Sequence, residues 1–140
     1  MTRFTQKVIA LRRRFPILHH AQFLHGRNES ADGLKDITWL SPSGEEMTTE
    51  QWHDHNARCA GVMLNEAAVS PAPSGDESLI LILLNAHTES IPFTFPKVPM
   101  GQNWEKLLDT TQTADPADES IDKPAVDLHG QSLSLFVRRR

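Results

Sequence analysis

The chain has 140 residues, with 14 Lys and Arg against 18 Asp and Glu, giving a formal charge of −4; 39% of its residues are hydrophobic and 23% charged. That length suits one domain and falls short of a β/α barrel, which needs at least about 200 residues, and the apolar fraction excludes a chain disordered by composition. The mild acidity offers no basic face for nucleic acid or an anionic membrane, and the single cysteine, Cys59, can make neither an intrachain disulfide nor a thiolate zinc site.

The chain opens on Phe4, Val8, Leu11 and Phe15 at helical spacing, with Arg12, Arg13 and Arg14 on the opposite face. This predicts one amphipathic helix over residues 5–15, closed by Pro16 because the residue before a proline avoids the α region. The first seven residues lack the apolar stretch and cleavage site of a signal peptide. The longest apolar run, residues 79–84, is far below the ~20 residues that span a bilayer. The expectation is a cytoplasmic chain with no membrane partner.

After Pro16 the period shortens. Residues 36–40 alternate and are rich in β-formers, 58–64 form a small and apolar run, and 79–84 are apolar on both faces. Ile91, Phe93 and Phe95 alternate, as do Trp104, Lys106 and Leu108, and again Leu133, Leu135 and Val137. Turn residues separate these runs at 41–44, 71–76, 97–101 and 128–130. Thr48 and Gln51 form a capping box, with Met47 and Trp52 as a hydrophobic staple, and open a short helix over residues 49–55. Residues 110–124, rich in acids and carrying Pro116 and Pro124, read as a solvated loop.

The fold class expected is mainly β: an antiparallel β-sandwich of about seven or eight strands preceded by one N-terminal α-helix. The helix occupies residues 1–18 and the sandwich 19–140. The expected core comprises Ile37, Trp39, Val62, Leu64, residues 79–84, Phe93, Leu108, Leu133 and Leu135.

Candidate chemistry is sparse. His53, Asp54 and His55, with His19, His20 and His25 nearby in sequence, could supply metal ligands. On a helix, however, His53 and His55 point about 200° apart, whereas one ion needs i, i+4 convergence. No metal and no cofactor are expected. The acidic pairs Glu45-Glu46, Asp76-Glu77 and Asp118-Glu119 lie in turn-rich segments where such acids solubilise loops, while a glycosidase pair must face across a cleft about 5–9.5 Å wide. Ser74-Gly75 lacks the strand-turn-helix context of a nucleophile elbow, and Cys59 sits in an apolar run as a small core residue would. No catalytic residue is assigned. Trp39, Trp52 and Trp104 remain as candidate substrate contacts, since an exposed ring can stack on the apolar face of a pyranose. Burial is the expected state of all three, because two lie on alternating strands and one is stapled.

Taken in order, residues 11–18, Phe23-Leu24-His25-Gly26, Lys35-Asp36-Ile37-Thr38-Trp39-Leu40, Gly44-Glu45-Glu46-Met47-Thr48, Trp52, Leu64-Asn65, Leu83-Leu84-Asn85-Ala86-His87 and residues 104–110 carry a resemblance over essentially the whole chain. The sequence is similar to the carboxy-terminal end of bacterial glycogen debranching enzymes, the isoamylase-like branch of the α-amylase superfamily (glycoside hydrolase family 13). The resemblance implies that hydrolysis of α-1,6 branch linkages belongs to a β/α barrel whose catalytic Asp and Glu motifs lie upstream of the matched region. It implies that the first helix is the last helix of that barrel, with Phe4, Val8, Leu11 and Phe15 facing it. The expected function is therefore a non-catalytic accessory domain, present as a fragment or the product of a truncated gene. Without the barrel, the helix face either self-associates or folds back on the sandwich. The alternative is a free-standing carbohydrate-binding module for α-glucans using an exposed tryptophan.

Overall fold

The computed structural model describes residues 2–19, 24–27, 29–30, 33–69, 78–98, 103–111 and 119–139. Helix α1 (Thr2–Arg14) leads into a 3-10 turn (Pro16–His19), followed by β1 (Ile37–Leu40), the single turn α2 (Thr49–Trp52), β2 (Cys59–Asn65), a second 3-10 turn (Glu66–Ala68) and β3 (Ser78–Asn85). Then come β4 (Ile91–Thr94), β5 (Trp104–Asp109), β6 (Glu119–Ile121), β7 (Ala125–Leu128) and β8 (Ser132–Arg139). They form a six-stranded antiparallel sheet in the order β1-β2-β3-β8-β5-β6 and a two-stranded sheet, β4-β7. The mainly β sandwich with one leading helix is as expected.

The large sheet is apolar on both faces: the small sheet covers the inner one, and α1 with its 3-10 turn covers part of the outer one. On the inner face, Cys59 and Met63 of β2, Leu79, Leu81 and Leu83 of β3, and Phe136 of β8 pack against Phe93 and Leu128 of the small sheet. On the outer face, Val62, Leu64, Ile80, Leu135 and Val137 pack under Leu11 and Phe15 of α1 and Ile17 of the following turn. Helix α1 therefore folds back on the sandwich, at 7% and 4% exposure for Leu11 and Phe15. The cluster Arg12, Arg13 and Arg14 falls in its last turn, where cations suit the negative end of the helix dipole.

Two buried amides close opposite ends of the central strands. Asn65, paired with Leu79, donates from Nδ2 to Ser30 Oγ and the Leu34 carbonyl, each at 3.0 Å. Asn85, paired with Cys59, holds Nδ2 within 3.0–3.2 Å of the Glu89, Leu128 and His129 carbonyls and accepts the His87 N–H at Oδ1. These contacts satisfy polar groups that burial would otherwise penalise.

Several local expectations are corrected. Helix α1 starts at Thr2 rather than residue 5, and α2 is one turn rather than residues 49–55. A bulge between Lys106 and Leu108 breaks the β5 alternation, so that Leu107 and Leu108 both enter the outer cluster. The segment read as a solvated loop contains β6, held on the edge of β5 by the register Trp104↔Ile121. Strand β7, only four residues with Asp127 exposed, carries too little period to be read in advance. Within the expected core, Leu84 and Trp39 are exposed at 40% and 39%, and Ile37, Ile82 and Leu133 are only half-buried. All five lie on the outer face, which α1 covers only in part. The predicted turn at 71–76, residues 99–101 of the next turn, and His20 and Phe23 lie outside the described residues.

Candidate functional site

The alternation of β1 puts Ile37 and Trp39 on the outer face and turns Leu40 into the inner core. The chain then reverses through residues 41–44, with the Gly44 N–H on the Ser41 carbonyl at 2.9 Å. Gly44 is required there: its φ is +84°, and a Cβ would lie 2.6 Å from the Thr94 carbonyl oxygen. The returning strand bridges Glu46 to Leu40 and lays the Met47 N–H on the Trp39 carbonyl at 2.8 Å. The predicted capping box then forms, with Thr48 Oγ1 accepting the Gln51 N–H and Gln51 Oε1 accepting the Thr48 N–H. Helix α2 thereby sets Trp52 against Trp39, edge to face, with ring centroids 5.5 Å apart and planes at 73°.

This aromatic corner borders a cavity of about 230 Å³ lined also by Leu24, His25, Lys35, Glu46 and Met47. Lys35 Nζ donates to Glu46 Oε1 at 2.7 Å. That hydrogen bond and the Glu46 charge hold the Lys35 ammonium above its ordinary pKa. Beneath the corner, the fully buried Asp36 accepts the Gly26 and Ile37 N–H groups at Oδ1, both at 2.9 Å, and fastens the segment after the 3-10 turn to the start of β1. Among the described residues, Glu46 is the one carboxylate lining the cavity, and it is paired with Lys35 and not with a second acid.

The three tryptophans separate in space. Trp52, at 53% exposure, and Trp39, at 39%, are brought together at the outer surface, contrary to the expected burial: α2 is a single turn with none of its residues buried. Trp104 is buried between the sheets, stacked on Phe95 at 6.0 Å between centroids, with the Arg138 guanidinium 5.9 Å from its ring; it presents no face to a ligand. His53 and His55 are exposed, and Asp54 Oδ1 accepts the Asn56 N–H. Among the described residues, no group of three or more His, Cys, Asp or Glu stands close enough to hold a metal ion. Residues 74–77 and Asp118 lie outside the described residues. Cys59 is buried, and burial raises its pKa, which keeps it a thiol near neutrality.

Sequence reasoning passed over Asp36 and the Lys35–Glu46 pair. The hairpin sets Glu46 opposite Leu40, five residues from Lys35, so the spacing gave no signal for the ion pair; it rests on the reach of the Lys35 side chain.

Comparison with known proteins places these features. The chain is 33% identical over 143 residues to a glycogen operon protein GlgX homolog of Mycobacterium tuberculosis (strain ATCC 25618 / H37Rv), an alignment that covers 98% of this chain and 20% of that protein. It is 26% identical over 146 residues to an isoamylase of Pseudomonas amyloderamosa, covering 97% of this chain and 17% of that protein. The chain thus spans about a fifth of the length of the curated relatives it matches. Residues 36–139 match the family model described as isoamylase, C-terminal, which takes in the large sheet, the small sheet and both tryptophans of the corner. The chain belongs to the isoamylase C-terminal domain family.

Proposed function

We propose that this chain acts as the carboxy-terminal accessory domain of a glycogen debranching enzyme and that hydrolysis of α-1,6 branch linkages belongs to a separate catalytic domain of β/α-barrel type. One observation carries the reading: almost all of this chain aligns with glycogen-operon and isoamylase relatives, yet accounts for only about a fifth of their length. Residues 1–18 then belong with the catalytic domain as its last helix, and 19–140 form the accessory sandwich. Leu11 and Phe15 of α1 rest on the sandwich, while Phe4 and Val8, at 44% and 39% exposure, are available to the catalytic domain. Self-association through that half of the helix is the substitute contact when the catalytic domain is absent. The compartment under this reading is the cytoplasm, the site of a glycogen store.

The domain's role is structural. It covers one side of the catalytic domain and contributes stability to it, and the chain alone releases no linear chains from glycogen. The test is incubation of the purified 140-residue chain with glycogen and a reducing-end assay, run beside a chimera in which this chain replaces the matched segment of the M. tuberculosis relative. Debranching by the chimera and none by the chain alone is the expected result. Hydrolysis by the chain alone overturns the reading.

A further inference from the structure

We infer that the open part of the outer sheet face, from the Trp39–Trp52 corner across to Leu84 and Leu133, is the seat of the catalytic domain. This rests on the accessory-domain reading above and adds the surface through which it operates.

The register defines the face. Directly paired residues of antiparallel strands share one side of a sheet, so Trp39, Val62, Ile82 and Leu135 form one row across β1, β2, β3 and β8. Ala60, Leu84 and Leu133 form the next. The neighbouring row on the other side, Ile37, Leu64, Ile80 and Val137, packs in the cluster that holds Leu11, Phe15 and Ile17. One face is therefore divided: α1 and its 3-10 turn cover one part, and the apolar surface continues beyond them, with Trp39, Trp52 and Leu84 each 39–53% exposed. Clustered exposed aromatic and aliphatic side chains mark association surfaces.

The chemistry of the face selects a protein over a sugar. A glucan platform presents flat ring faces along which successive sugars lie. Here the two indoles stand at 73°, edge to face, and cannot share a plane. Past the buried Val62 the face continues through Ile82, Leu84 and Leu133, side chains without hydrogen-bonding groups for sugar hydroxyls; the polar His25, Lys35 and Glu46 stand only on the cavity side of the corner.

The occupant follows from the alignments. The relatives align with 97–98% of this chain, so α1 lies within the match, yet the C-terminal family model begins only at residue 36. Helix α1 therefore corresponds to a part of the relatives that precedes their C-terminal domain. It is the piece of that preceding domain already docked on the outer face, and the open rows are continuous with its contact.

The chimera described above, a full-length enzyme, tests the surface. Leu84→Glu places a charge where the isolated chain exposes the side chain to water, and Trp52→Ala truncates the corner. Each should shorten the half-life of debranching activity at elevated temperature roughly tenfold, as truncation at the centre of an interface does. In the isolated chain, the same changes should move the unfolding midpoint by no more than about 4 °C, and Trp52→Phe should restore most of the lost half-life. An active chimera indifferent to both changes overturns the inference and leaves the accessory-domain reading standing. A chimera without debranching activity overturns both. Loss of glycogen retention on a glycogen-containing native gel by Trp52→Ala, with chimera half-life unchanged, assigns the corner to glucan binding and likewise overturns it.

Discussion

Asp36 ties the segment at His25 and Gly26 to the start of β1. Its carboxylate is fully buried; Oδ1 accepts the Gly26 and Ile37 N–H groups at 2.9 Å, and Oδ2 the His25 N–H at 3.4 Å. Removing the acceptor in Asp36→Ala orphans two well-made donors, each costing about 1–3 kcal/mol when left unsatisfied. Both are partly accessible to water, which places the loss near the lower half of that range, at about 3 kcal/mol in total. Asp36→Asn keeps an Oδ1 that serves both short bonds and sacrifices only the long one, so its cost is about 1 kcal/mol. For a domain of this size, 1 kcal/mol corresponds to roughly 3–5 °C in Tm. Thermal unfolding followed by circular dichroism should therefore show a fall of roughly 10–15 °C for Asp36→Ala and roughly 3–5 °C for Asp36→Asn. Equal losses in the two variants would refute the argument, because the effect would then come from the charge and not from acceptor geometry.

Other consequences are as direct. In Gly130→Ala, the new Cβ would lie 2.3 Å from the Thr88 carbonyl oxygen and 2.6 Å from its carbon; since both are backbone atoms, urea unfolding should register a loss of about 2 kcal/mol or more. Burial raises the Cys59 pKa, so iodoacetamide at pH 8 should alkylate the native chain much more slowly than the urea-unfolded chain. At Asp109, burial pushes the pKa up, but hydrogen bonds from the Thr111 side chain and backbone and the Lys106 ammonium outweigh it and hold the carboxyl below its ordinary value. Its stabilisation is thus present above the unfolded value of about 3.9 and lost as pH falls through the folded one. The gap in urea midpoint between the native chain and Asp109→Asn should narrow from pH 7 to pH 3.

What could be read in advance, and what could not, divides along physical lines. The β2 and β3 runs were legible because a strand packed on both faces must be apolar throughout, β8 because Leu133, Leu135 and Val137 alternate, and the capping box because it is local chemistry within four residues. The small sheet was half legible: Phe93 and Phe95 announced β4, whereas β7 relies on its partner rather than on its own period. The exposure of Trp39 was not legible, since alternation says which face a side chain takes and not whether a layer covers that face. The corner itself was missed for the same reason. Trp39 and Trp52 are thirteen residues apart, and only the reversal through Gly44 and the single turn of α2 brings their rings together.

Strand β8 lies in the middle of the large sheet, flanked by β3 and β5, although it is the last strand in chain order. A nascent chain emerging from the ribosome therefore cannot join β5 and β6 to β1, β2 and β3 until residues 132–139 have been made. Until then, β3 displays an unpaired edge of eight residues, mostly aliphatic, a template for mispairing with another copy. Premature termination within the last strand would yield two half-sheets with no seam between them, a product destined for proteolysis or inclusion bodies rather than a slightly shortened domain.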